Sequence, residues 1–299
     1  MDLIDQFLDS PVFRRFAVIF GFIGGLLRVV PLYFPNLNLI PLANLLFGIT
    51  GFYFSAIILR SLIYRIGNLN EIDYKYQAKR YGMGYDKFEV QCIIDQDGSA
   101  KVIRDVTIEA YAQLSKLDTF IRIPESDPEG KLRSIKIGHI ESKDKKYQLS
   151  LKTIENKPGS TFAEIIFFPP LKSGETLQYT LYDFYLEKGL FGIDLNPDEI
   201  SRRKDSTDYF GWHINRPTRK FTLQIYFPPE RIPQQFHPYV RYAKAAGNPS
   251  DQIPSEEEKK LKTPTLSRVG DRYVLTLQID YPLSGLIYML EWNPVSKKI

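Results

Sequence analysis

The hydrophobic pattern of the chain changes period once, and the change divides the sequence. From residue 13 to residue 66 (FRRFAVIFGFIGGLLRVVPLYFPNLNLIPLANLLFGITGFYFSAIILRSLIYRI) apolar residues occupy every side of a helix, with no polar stripe. From about residue 86 onward, short runs of alternating apolar and polar residues replace it, separated by Gly, Pro, Asp and Asn. The first pattern predicts membrane helices; the second predicts half-buried β-strands.

The apolar stretch reads as a hairpin of two crossings. Leu39 to Leu59 contains no ionisable residue apart from the Tyr53 phenol, and about 20 such residues span a hydrocarbon core about 30 Å thick. Phe16 to Leu27 is apolar, Arg28 interrupts, and Val29 to Phe34 resumes. That run spans if Arg28 lies near the far interface and extends its guanidinium toward the headgroups. Pro35-Asn36-Leu37-Asn38 marks the turn between the two. Arg14 and Arg15 precede the first crossing and Arg60 and Arg65 follow the second, so the positive-inside rule predicts an integral membrane protein with both termini cytoplasmic. A re-entrant hairpin, favoured by Pro31, Pro35 and Pro41, and a buried hairpin of a soluble protein are the competing readings. Ahead of the hairpin, Leu3, Ile4, Phe7 and Leu8 fall at helical spacing opposite Asp2, Asp5 and Asp9, which predicts a short amphipathic helix.

Gly21 and Gly25 form a G-x-x-x-G in the first crossing, and Gly48 and Gly51 lie in the second. Small residues allow helices to approach, within the hairpin or between copies of it. Residues 70–81 (NEIDYKYQAKRY) follow as a juxtamembrane connector whose Lys75, Lys79 and Arg80 suit a headgroup layer.

In the β region, strands are predicted at 87–96, 99–112, 118–123, 132–141, 146–154, 161–168 and 175–186. Asp97-Gly98 is a hairpin signal between the first two. The rhythm breaks at 187–207. There Asn196-Pro197-Asp198-Glu199 supplies a cap, a first-turn proline and acids for a short helix ending in Arg202-Arg203-Lys204. Strands resume at 208–214, 219–228, 238–243, 272–280 and 286–292, and 247–264 reads as a polar loop. The fold class expected is therefore an N-terminal α-helical membrane hairpin with two transmembrane helices, plus mainly antiparallel β in immunoglobulin-like sandwiches. The expected division is 1–66 hairpin, 67–85 connector, 86–190 first β unit, and 191–299 second β unit or the continuation of one elongated sandwich.

Charge narrows the partners. Residues 72–299 carry 34 basic and 31 acidic side chains, too balanced for a binder of duplex nucleic acid. The one cysteine, Cys92, alternates with apolar neighbours in VQCII and reads as a core residue. His139, His213 and His237 lie far apart without metal-ligand spacing, and no phosphate-cradling or nucleophile motif occurs. No cofactor or metal is implied. One cluster could hold a small anionic ligand: Trp212 and His213 to stack on a ring, with Arg216, Arg219 and Lys220 to hold phosphate.

The reading is a non-enzymatic, membrane-anchored cytoplasmic β-domain protein that contacts lipid and serves as a binding or assembly module for a protein partner or further copies of itself. The alternative is a ligand-gated effector, in which the β domain senses a nucleotide-like anion and the hairpin oligomerises to disrupt the membrane. That layout, though no motif, is similar to some bacterial anti-phage defence effectors.

Overall fold

A computed structural model describes residues 11–34, 39–67, 69–122, 138–157, 160–186, 189–202, 207–243 and 261–297. The amphipathic segment expected at 3–8, the turn at 35–38, most of the strand at 132–141, Arg203 and Lys204, and most of the loop at 247–264 lie outside the described residues. The chain forms two compact units, Met1–Asn70 and Glu71–Ile299.

The first unit is a helical pair, α1 (Pro11–Tyr33) and α2 (Ile40–Gly67). Arg28 bonds to Asn44, Gly24 lies against Phe47, and Thr50 bonds to the Ala17 carbonyl at 3.1 Å, so the helices run antiparallel. The second Thr50 bond, to the Leu46 carbonyl at 2.9 Å, keeps its hydroxyl satisfied within α2. Apolar side chains point outward along both helices, among them Phe22, Leu26, Leu45 and Phe52. Among the described residues one helix is long and apolar enough to cross a membrane, Ile40–Ile58.

The segment expected to be a juxtamembrane connector is a helix, α3 (Leu69–Tyr81), most of which belongs to the second unit. Among the described residues thirteen strands follow: β1 (Met83–Ile94), β2 (Ala100–Ala110), β3 (Leu114–Arg122), β4 (Ile140–Ser142), β5 (Gln148–Lys157), β6 (Ser160–Leu171), β7 (Thr176–Leu186), β8 (Asp208–Ile214), β9 (Thr218–Tyr226), β10 (Arg231–Tyr242), β11 (Thr265–Val269), β12 (Arg272–Asp280) and β13 (Leu286–Lys297). A short helix, α4 (Pro197–Arg202), separates β7 from β8. Asn196 and Glu199 cap it reciprocally, each accepting the other's backbone N–H at 2.9 and 2.8 Å, the capping box written in the sequence.

Seven strands form a mixed sheet in the order β11-β12-β9-β1-β2-β7-β4; β10-β13-β8 and β3-β6-β5 form two smaller antiparallel sheets. The large sheet draws strands from both sides of residues 190–207. Its centre is a parallel pair, β1 with β9, in an otherwise antiparallel assembly. Local alternation is the same for either direction of pairing, so this pair was not legible in the sequence. One face of the large sheet carries Phe88, Val90, Cys92, Val102, Leu223 and Leu277, all essentially inaccessible. Both small sheets cover that face, contributing Tyr288, Leu290 and Trp292 from one and Ile165, Phe167 and Leu171 from the other to a single core. Burying each such side chain contributes about 1.5–3 kcal/mol, and this layer dominates the stability of the unit.

Strands β10, β11 and β13 departed from expectation, β13 by running on to Lys297. β11 lies in a stretch with no strand expected; Gly270, at φ 64°, turns it into β12. β10 is twice the expected length despite Pro233 and Pro238. It is an edge strand with register shifts at 232–234 and 234–237, where prolines are tolerated.

Candidate functional site

Two charged clusters organise the β unit, and each includes a residue expected to bind ligand. The first surrounds Arg219 at the start of β9. Its Nε and Nη2 donate to Glu71 Oε2 and Oε1 at 2.9 and 3.0 Å, a forked pair to the first turn of α3. Nη2 also reaches Glu109 on β2 at 3.3 Å, and Nη1 bonds to Asp86 at the β1 bulge. The guanidinium lies 4.5 Å from the centre of the Tyr74 ring, and Tyr281 donates its hydroxyl to Glu71 at 2.9 Å.

These contacts fix α3 to the sheet. Tyr74 and Ala78 face inward and are buried, while Tyr76, Lys79 and Arg80 face out. The approach is close because residue 84 is glycine: a Cβ there would lie 2.6 Å from the Tyr74 hydroxyl and 2.9 Å from the Ala78 Cβ. Hydrogen bonds from Arg219 hold the Glu71 carboxyl down at about 2, reinforced by Tyr281 and Lys75 against the cost of partial burial. Burial and the neighbouring Glu109 charge push the Tyr74 phenol up. The group is a clamp: one cation shared among three carboxylates.

The second cluster lies where the three sheets meet. Arg104 of β2 and Asp183 of β7 point from the large sheet into the core, 8% and 0% exposed. Arg104 Nε lies 2.5 Å from Asp183 Oδ2, and Nη2 donates to Asp183 Oδ1 and to Thr119 of β3, each at 2.8 Å. The Trp212 ring of β8 covers the guanidinium at 4.9 Å, with Phe88 edge-on to the indole. One arginine thus touches all three sheets. Burial pushes the Asp183 carboxyl up, and Arg104 opposes the shift. The nearby Tyr85 and Tyr179 phenols are also raised by burial.

Of the five residues singled out for an anionic ligand, Arg216 and Arg219 both reach rings of α3, while Trp212 covers Arg104 at the sheet junction. Trp212 and His213 are consecutive on β8, so they face opposite sides: Trp212 turns into the sheet junction, and His213 is exposed. Arg216, in the turn before β9, stacks 5.4 Å over the Tyr81 ring at the end of α3. Arg219 is engaged as described, and Lys220 pairs with Lys87 of β1 and Asp280 of β12 in the sheet register. In the helical pair, Gly21 contributes to packing, since a Cβ there would meet Thr50 at 3.3 Å. Gly25, Gly48 and Gly51 have nothing within 4 Å of that position.

Sequence reasoning missed Arg104 and Asp183, although their signal was present. In KVIRDVTI, Arg104 shares a face with Val102, Val106 and Ile108; in TLQYTLYDFYL, Asp183 shares one with Leu177, Tyr179 and Leu181. Opposite charges on the apolar faces of two strands are a buried pair in waiting. Glu71, Asp86 and Glu109 carried no such mark, because nothing local places them beside Arg219.

No protein-family model matches the chain, and no curated protein matches it. Among solved structures it is similar to the M1 zinc metallopeptidase from Deinococcus radiodurans, at 12% identity over 70% of this chain and 42% of that chain, with a TM-score of 0.39. A mutant of such a two-domain enzyme bound to L-arginine aligns with the same values. The chain spans less than half the length of these structures, and at that TM-score the likeness assigns neither a fold family nor an activity.

Proposed function

We propose that the chain is a membrane-anchored, non-enzymatic module: the helical pair crosses the membrane twice with both termini cytoplasmic, and an immunoglobulin-like sandwich binds or assembles with a protein partner. One observation carries this reading. The apolar helix Ile40–Ile58 exposes its side chains along its length, and the chain then enters a helix clamped to the β unit by Arg219. The charged groups of both clusters hold structural elements together, which is the work of a scaffold. Carbonate extraction and protease protection of the full-length protein in its own membranes test the anchor. The expected result is a carbonate-resistant protein whose β unit is accessible only from the cytoplasmic side; release by carbonate would overturn it. Native mass spectrometry of gently extracted protein tests the partner, with a second polypeptide at fixed stoichiometry expected.

The open positions at Gly25, Gly48 and Gly51 favour a second reading, the oligomerising effector. In that case Gly48→Leu and Gly51→Leu, at positions where a Cβ meets nothing within 4 Å in one chain, lower the oligomeric state in detergent. In a passive anchor they leave it unchanged.

A further inference from the structure

Arg28 is the one charged residue from Phe16 to Leu59 and lies near the Tyr33 end of α1, and its environment is built. Its Nη2 donates to Asn44 Oδ1 at 2.9 Å across the helical pair, and its guanidinium lies 5.2 Å from the Phe47 ring centre. Among the described residues these are its only polar and aromatic partners, and the side chain is exposed. No Asp or Glu occurs from Ser10 to Asn70, so the helical pair supplies no counter-charge. Arg28 lies five residues before the end of α1 and Asn44 four residues after the start of α2. At 1.5 Å per residue, both sit about 6–7.5 Å below the helix ends, within side-chain reach of a headgroup layer.

A guanidinium at that depth needs an anion, because an unpaired charge at the edge of hydrocarbon is costly. Asn44 and Phe47 fix one edge and one face of it, leaving its other N–H donors as a fork that fits two phosphate oxygens. We propose that Arg28, Asn44 and Phe47 form a site for the phosphate of an anionic phospholipid in the leaflet at the Tyr33–Ile40 end. This rests on the membrane-anchor reading. Asn44 accepts from the arginine and orients it, Phe47 shields one face, and Arg28 supplies both charge and fork.

The test uses full-length protein reconstituted in phosphatidylcholine vesicles containing a minor fraction of phosphatidylglycerol. Flotation comes first; wild-type protein that stays with the soluble fraction rejects the anchor and this site with it. For protein that floats, native mass spectrometry after mild extraction counts the retained lipids. The wild type is expected to retain phosphatidylglycerol over phosphatidylcholine. Arg28→Gln is expected to lose that preference by about tenfold, equivalent to about 1.4 kcal/mol. Arg28→Lys keeps charge without the fork and falls between them. Asn44→Leu keeps the arginine but frees it, and lowers retention as well. Floating Arg28→Gln protein that retains phosphatidylglycerol as the wild type does overturns the site and leaves the anchor standing.

Discussion

Arg219 and Glu71 lie 148 positions apart in the chain and meet in a forked ion pair, with N–O distances of 2.9 and 3.0 Å. The pair joins the first turn of α3 to the central parallel strands of the large sheet. Each side chain is about a quarter exposed, so the contact is screened less than a surface pair.

Arg219→Ala leaves Glu71, Asp86 and Glu109 facing one another without their shared cation. Charged hydrogen bonds of this kind contribute about 1.5–3 kcal/mol, and a loss of that order is expected in denaturant titrations. Hydrogen exchange localises the effect: amides of 71–81 should lose protection while β9 and β12 keep theirs. An unchanged exchange pattern removes the clamp role.

The same pair sets a pH dependence. Glu71 has its folded-state value depressed to about 2, against an ordinary glutamate value of about 4.3 in the unfolded chain. The stability it contributes is fully present above the unfolded value and declines as pH falls from there toward about 2. The stability difference between wild type and Glu71→Gln should therefore be constant near pH 6 and shrink below pH 4. A difference that holds down to pH 2 contradicts the assignment.

Gly84 tests the clamp without touching charge. A methyl there already meets Tyr74 and Ala78 below van der Waals distance, so Gly84→Val should displace α3 from the sheet. The expected signature is increased exchange in 71–81 with the β core intact, at a cost of about 1–3 kcal/mol.

The Arg104–Asp183 pair predicts an asymmetric mutational response. Removing one partner leaves a buried, uncompensated charge, which costs about 3–5 kcal/mol. Asp183→Ala and Arg104→Ala should each destabilise by that amount, while Arg104→Met with Asp183→Leu should recover most of it. Thermal unfolding of the three variants measures this, and a double variant as unstable as the singles argues against a simple packing role.

Cys92 is inaccessible, and burial pushes its thiol up. In native protein near pH 8 it should resist maleimide over hours and react promptly once the chain is unfolded in denaturant. Prompt native labelling would show that β1 opens at the core.

The sequence by itself determined what depends on neighbours in the chain. The unbroken apolar run at 39–59 specified the long helix α2, the order Asn196-Pro197-Asp198-Glu199 specified α4, and alternation located most strands, including Phe221, Leu223 and Ile225 on one buried face of β9. Asp97-Gly98 marked the β1–β2 hairpin, where Gly98 sits at φ 74° and its missing Cβ admits the Phe191 carbonyl. Only the tertiary structure decided which strands pair, that β1 and β9 run parallel, and that both halves of the β region share one sheet. It also decided what the expected ligand residues touch, with Arg216 and Arg219 against α3 and Trp212 over Arg104. Strand alternation separates Trp212 from His213, and Arg219 is captured by acids that lie 110 to 148 positions away. Local pattern fixes which face of a strand is apolar, because that follows from a two-residue period. It cannot fix what the face meets, because hydrophobic burial is non-directional and long-range charge pairs form only after the chain has been folded around them.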